Sequence, residues 1–262
     1  MRDLVRNLSF RSLRVWQRDA DVYFTMWKTE FLPPLLEPIL YVLAFGLGLG
    51  KLVGQVSYEG RTLGYLQFMA PGVIAVAIMF WSFFESSFSS YVRMYYQKTY
   101  DAIVATPLLV EDIILGEMLW ATTKAVIAST IMLVILALMG LVTWPSGLAV
   151  IPIAAAGGLL FTGFGMACTS GVKSISQFNV PIFVVLMPMF TFSGTFFPIE
   201  VLPPWALALA WALPLTHVAL LTRSAVLGFW HPMIPWSALY VVLAGIFLAG
   251  LALVRMKRRL VP

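Results

Sequence analysis

The chain has 262 residues, of which 60% are hydrophobic and 11% charged, with a mean hydropathy of +0.90 and a formal net charge of +5. A soluble domain carries about 25% charged residues, so the composition excludes a soluble globular protein and implies an integral membrane one. Alternating ten-residue strands are absent, which argues against a β-barrel, and the one cysteine, Cys168, excludes an internal disulfide framework.

The N-terminal run MRDLVRNLSFRSLRVWQRDAD has no apolar h-region, so no cleaved signal peptide is expected. Residues 3–18 have helical period, with Leu4, Val5, Leu8, Ser12, Val15 and Trp16 on one face and Asn7, Arg11, Arg14 and Arg18 on the other. This spacing predicts a basic amphipathic helix lying in a membrane surface, its arginines toward anionic headgroups. Nucleic-acid binding is the other use of such a run, and it is disfavoured by the span that follows. Tyr23, Phe24, Trp27 and Phe31 extend the interfacial stretch to residue 31, ahead of Pro33-Pro34.

Spans need about 20 apolar residues. Six are expected, over residues 35–52, 68–91, 113–144, 148–170, 180–197 (broken by Pro188) and 236–254. GLGLGK at 46–51 is not a phosphate loop: Phe45 stands where the first glycine belongs, and neither Ser nor Thr follows Lys51. Residues 51–66 form a polar connection. Residues 198–228 are apolar but broken at Pro198, Pro203-Pro204, Pro214 and Gly228. Their two helical pieces are too short to span a bilayer and read as re-entrant or interfacial half-helices.

Between the second and third spans lies a polar island, RMYYQKTYDAIVATPLLVEDIILGE, at 93–117. Charges of that density cannot sit in hydrocarbon. Gln97 to Ala105 form a short helix with Tyr100, Ile103 and Val104 on one side, closed by Thr106-Pro107. It is either a solvated loop or a docking helix through which another protein moves the membrane part. With six spans both termini share a side, and fourteen of the seventeen lysines and arginines fall on the face of the termini and the island. That bias makes this face cytoplasmic.

Intramembrane ionisable residues are functional candidates by default: Glu37, Glu85, Glu117 and Lys124. Glu117 and Lys124, seven apart, suit a mutual pair. Glu85 is deeper and serves either as a polar anchor or in a substrate path. His217 and Arg223 suit an anionic headgroup or a sugar, with satisfied interfacial polar residues as the alternative. Phe190, Phe192, Phe196, Phe197, Trp205 and Trp211 suit stacking on a glycan, or an aromatic belt. No metal-ligand spacing, catalytic serine motif or nucleotide motif is present in the sequence. Work against a gradient would need an ion or a partner.

Three segments, TYDAIVATPLLVEDIILGEMLWATTKA at 99–125, FSGTFFPIEVLPPW at 192–205 and LPLTHVALLTR at 213–223, make the chain resemble the membrane subunits of ABC-2-type exporters, in particular the permeases of nodulation-factor (lipo-oligosaccharide) export. The resemblance covers nearly the whole chain. It implies a single all-α transmembrane domain over residues 1–262 with the type V exporter fold: an interfacial connecting helix, a coupling helix at 97–106 and extracellular re-entrant helices at 198–228. It implies that Gln97, Lys98, Tyr100, Asp101, Ile103 and Thr106 contact a separate ATPase subunit, present in two copies, which binds the ATP and Mg. This chain would bind no cofactor and would pair with a second copy of itself in the cytoplasmic membrane. The expected activity is non-enzymatic export of an amphipathic cargo (lipo-oligosaccharide, lipid-linked glycan or hydrophobic drug). The rival readings are a self-contained ion-coupled transporter or channel, with Glu85 as its carboxylate, and a membrane-bound transferase.

Overall fold

The computed structural model describes residues 10–260, with Pro38 and Leu47 as backbone only. Residues 3–9 of the expected interfacial helix lie outside the described residues. Helix α1 covers Ser12–Thr25. Its buried residues Ser12, Val15, Asp19, Ala20 and Tyr23 recur at three and four, a single stripe. That stripe packs on protein: a Cβ at Gly116 of the third span would lie 2.5 Å from Val15 Cβ and 2.7 Å from Ser12 O. A missing side chain therefore sets how closely α1 approaches. Trp16 Nε1 donates to Thr123 Oγ1 at 3.0 Å on the same helix.

The expected break at Pro33-Pro34 is absent. Helix α2 runs over Trp27–Val53, so the first span begins eight residues before the expected 35. Spanning helices tolerate proline because local rearrangement satisfies the freed backbone groups, and α2 widens into i→i+5 turns over Val42–Leu49. The aromatic segment 23–31 is thereby divided between α1 and α2.

The connection after α2 is a hairpin, not an irregular loop. Strands β1 (Gln55–Tyr58) and β2 (Arg61–Gly64) pair antiparallel, with Val56 opposite Leu63. The tip residues Glu59 (φ 51°) and Gly60 (φ 71°) both take the left-handed conformation that matches the twist of a two-residue hairpin turn. Helix α3 follows over Tyr65–Tyr96, then the short α4 over Thr99–Val104. Helix α5 covers Val110–Leu138. It stops short of the expected 144 because Gly140, at φ 72°, terminates it.

Helix α6 covers Ser146–Thr169, and α7 covers Ile175–Phe192. Pro188 does not break α7: the helix widens over Ile182–Leu186 immediately before it. Helices α8 (Pro204–Ala212) and α9 (Pro214–Leu227) meet at 82°. Helix α10, Ile234–Leu260, closes the fold against α6, where Gly163 brings the backbones together: a Cβ there would lie 2.7 Å from Ala249 N. Six of these helices, α2, α3, α5, α6, α7 and α10, are long and apolar enough to cross a membrane.

The main core lies between α3, α5, α6 and α9. A second core, with Tyr91, Met94, Tyr100, Ile113 and Phe178, gathers at the end of the bundle that carries α4 and the start of α5. Here Lys257 Nζ lies 2.6 Å from Glu111 Oε1, fastening α10 to α5. By contrast α2 and α7 leave Leu36, Leu40, Phe183 and Val184 exposed.

Candidate functional site

Charged side chains from four helices converge at the basic end of the bundle. Arg93, near the end of α3, is the centre. Its Nη2 lies 2.5 Å from Glu117 Oε2, and its Nη1 lies 2.8 Å from Glu85 Oε1. Ser90 Oγ donates to Glu117 Oε2 at 2.7 Å. The second oxygen of Glu85 is taken by Lys124 Nζ at 3.0 Å, and Lys124 also reaches Glu30 Oε2 of α2 at 2.6 Å. From α1, Arg18 pairs with Asp19 and lies 3.5 Å from Glu117 Oε1. Glu85, Glu117 and Asp19 are each at most 4% exposed. Charges at that depth persist only when paired.

The expected Glu117–Lys124 pair does not form. The two sit on nearly one face of α5, but Arg93 and Glu85 of α3 come between them, and each charge takes a partner from the neighbouring helix. Lys124 lies inside α5, within the expected third span. Glu37 accepts a bond from Trp81 Nε1 at 3.1 Å.

The network lines a cavity of about 480 Å³ between α1, the start of α2, α3 and α5. Tyr23 and Trp120 form part of its wall, their rings 5.3 Å apart. Burial pushes the Asp19 carboxyl up to about 6; the Glu117 charge adds to the rise, while the guanidiniums of Arg93 and Arg18 oppose it. Arg93 and Asp19 are the residues that sequence reasoning missed. For Asp19 the signal was present: positions 12, 15, 19 and 23 make one stripe, so this aspartate stands where an apolar residue is expected. For Arg93 there was none beyond its spacing of eight from Glu85.

Helix α4 hangs below this network. Lys98 at its start has φ 55°, which reverses the chain after α3. Tyr100 is 2% exposed. It faces the core with Tyr91 and Ile113, so it anchors α4 and cannot offer its ring to a partner as expected. Ile103 is half-buried, while Val104, expected beside Tyr100, is 49% exposed. Gln97, Lys98, Asp101 and Thr106 are exposed, and Lys98 Nζ lies 3.7 Å from Asp101 Oδ2. The helix is not continuous with α5, since Leu109 is extended (ψ 156°) and its N–H donates to Asp112 Oδ2 at 3.1 Å, capping α5 separately. Instead α1 holds the connecting turn: Arg11 Nη1 donates to Pro107 O at 2.9 Å. Arg14 is exposed beside Gln17, whereas Arg18 turns into the network and away from the expected headgroups.

At the hairpin end, His217 and Arg223 also turn inward. Six residues apart, they leave α9 on different sides. His217 meets Ser237 Oγ and Trp211 O, each at 3.0 Å. Arg223 donates to Phe68 O at 3.2 Å and Gly194 O at 2.8 Å, with its guanidinium 4.1 Å from the Phe68 ring centre. Both make hydrogen bonds within the chain. The Phe196 ring packs obliquely on Phe45 and edge-on against Phe190, at 5.3 and 5.0 Å. Phe192 and Phe197 are half-buried.

Six spanning helices, a basic end carrying an exposed elbow, and a bent helix pair before the last span define a polytopic transport permease. The chain belongs to the ABC-2 type transporter family, whose model matches residues 13–227. It is 35% identical over 230 residues to Nodulation protein J of Rhizobium leguminosarum bv. trifolii, covering 86% of this chain and 84% of that protein. To Nodulation protein J of Neorhizobium galegae it is 34% identical over 251 residues, covering 92% and 91%. To the probable multidrug ABC transporter permease YbhR of Escherichia coli K12 it is 28% identical over 204 residues, covering 78% and 55%. It is thus a multi-pass membrane protein of the permease class.

Proposed function

We propose that this chain is the membrane subunit of an ATP-driven exporter, turned from the cytoplasmic side by a separate ATP-binding subunit that holds the ATP and Mg. The observation that carries this reading is α4, a short helix whose inner side is anchored by Tyr100 while Lys98 and Asp101 are 66% and 70% exposed. A push on α4 reaches α1 through the Arg11–Pro107 bond and the core through Tyr100, and packed elements of this kind shift as units. Nucleotide moves the permease only through a difference in affinity between its states. The basic end faces the cytoplasm on the lysine and arginine bias. Two copies would form the path, with the exposed apolar flanks of α2 and α7 facing lipid or each other, and α8–α9 closing its outer end.

The cargo in this reading is an amphipathic molecule, with a lipo-oligosaccharide first among candidates because relatives named for nodulation align over most of the chain. The ion-coupled alternative is disfavoured by Glu85, since both its oxygens are held by fixed cations. The test is co-reconstitution with the cognate ATPase in proteoliposomes, comparing wild type with the Lys98→Glu, Asp101→Arg double variant. Expected is ATP-dependent transport that the variant loses while its melting temperature is retained. Full transport without nucleotide, or unchanged ATPase stimulation by the variant, would overturn the proposal.

A further inference from the structure

A cavity of about 210 Å³ opens at the hairpin end, between the hairpin, the start of α3, the turn after α5 and the end of α9. Arg61 lines it, opposite Tyr58 in the hairpin register. The Arg61 guanidinium lies 5.3 Å from the Phe229 ring centre, and the Tyr58 ring meets that ring edge-on at 5.9 Å. Contact with a ring face uses the charge and leaves the N–H fork free. Among the described residues no carboxylate or other acceptor takes those N–H groups. Glu59, two residues earlier, turns instead to His231 Nε2 at 3.3 Å, on the side of a separate small cavity.

Two neutral donors line the same wall. Gln67 Oε1 accepts from the Gly64 N–H at 3.3 Å, so its NH2 is the end left over. Thr143 is held by its backbone, its N–H donating to Val226 O at 2.8 Å, and its hydroxyl has no partner among the described residues. The wall thus offers one full positive charge, an amide and a hydroxyl, and no carboxylate. A planar N–H fork matches a phosphate bidentately. An ammonium group would find no counter-charge. The volume is below that of sites for drug-sized ligands, which suits a head group whose chains stay outside.

The surroundings of the mouth belong to a bilayer. Trp144 and Trp230 directly follow the lining residues Thr143 and Phe229 and are exposed, as aromatic side chains at head-group depth are. Leu138, 84% exposed, and Met139 continue from the cavity along the end of α5 as an apolar track. A free anion would gain nothing from that track.

We propose that this cavity binds the phosphate of an anionic phospholipid that carries no ammonium group, such as phosphatidylglycerol, from the leaflet at the hairpin end. Its acyl chains lie on Leu138 and Met139, and its head group ties the hairpin to the turn after α5. The assignment is independent of what the exporter carries and of what drives it.

The test uses the full chain in phosphatidylcholine nanodiscs, with Cys168→Ala and a bimane attached at Leu138→Cys beside the mouth. Lipids with brominated acyl chains quench the bimane on contact. Brominated phosphatidylglycerol is expected to half-quench at about one-tenth the mole fraction of brominated phosphatidylcholine, since one charge-assisted pairing is worth about a decade in affinity. Arg61→Gln is expected to erase the preference. Lys51→Gln, which removes an exposed cation outside the cavity, is expected to keep it. Equal quenching by the two lipids, or equal loss in the two variants, would overturn the site. Loss of the preference on adding excess inorganic phosphate would make a free anion the occupant and overturn the lipid assignment. If Arg61→Gln does not fold, Thr143→Val decides: the preference is expected to fall severalfold, and an unchanged preference overturns the site.

Discussion

Arg93 and Glu117, on α3 and α5, are joined by three hydrogen bonds: Arg93 Nε lies 3.0 and 2.9 Å from the two carboxylate oxygens, and Nη2 lies 2.5 Å from Oε2. Glu117 is fully buried. Removing Glu117 leaves the buried Arg93 to Glu85 alone, a loss of at most about 3–5 kcal/mol, whereas replacing both with apolar groups is often nearly neutral. Glu117→Ala is therefore expected to lower the melting temperature in detergent sharply, and Arg93→Met with Glu117→Leu to recover most of it. A double variant as unstable as the single would show that the pair's geometry, not its charge balance, holds α3 on α5.

Asp19 makes stability depend on pH. Its folded value, about 6, is above its ordinary 3.8, so the folded chain holds this proton more tightly than the unfolded one. That contribution is fully present below about pH 4 and is lost as pH rises through about 6. Asp19→Asn, which has no charge to bury, is expected to melt higher than the Asp19 chain near pH 8 and no higher near pH 4. The ceiling is about 3 kcal/mol, two pKa units at 1.36 kcal/mol each. Thermal melts at the two pH values check it, and a gain confined to low pH would refute the assignment.

Gly116 sets the docking of α1. A Cβ there would meet Val15 Cβ at 2.5 Å and the Ser12 carbonyl at 2.7 Å, and the carbonyl cannot turn aside as a flexible side chain can. Gly116→Ala is expected to cost about 1–3 kcal/mol, the range for overpacking. Gly250→Ala, where nothing lies within 4 Å, is expected to cost nothing and to gain slightly from helix propensity. Equal melting temperatures for the two variants would mean that α1 is not held by this crossing.

Arg223 ties α9 to the backbone of Phe68 and Gly194 and lies over the rings of Phe68 and Tyr58. Lysine keeps the charge but loses the planar fork that makes both bonds while stacking. Arg223→Lys is expected to lose on the order of 2 kcal/mol and to loosen the hairpin end, seen as faster hydrogen exchange in 55–64 and 214–227. Exchange that rises only at the basic end would contradict this.

Much of the protein was legible locally. Long apolar runs fixed the membrane class, because burial in lipid depends on the summed hydropathy of about twenty neighbours. The charges at 93–117 marked a segment that cannot sit in hydrocarbon, and the prolines at 198, 203, 204 and 214 marked helices too short to cross. The hairpin at 55–64 leaves a faint local trace, Val56 and Tyr58 alternating up to Glu59-Gly60, inside what reads as a polar connection. What no local pattern contained was the choice of partner. Glu117 and Lys124 share a face of α5 and suit each other by spacing; they separate because α3 packs beside α5 and presents Arg93 and Glu85 to them. In the same way Gly116 decides that α1's stripe rests on protein, and the turn at Leu109 decides that α4 is a separate element held through Arg11 and Tyr100. Hydropathy is additive along the chain and can be summed residue by residue. An ion pair between helices is decided by which faces meet across about 10 Å, and that is settled only when the whole bundle has packed.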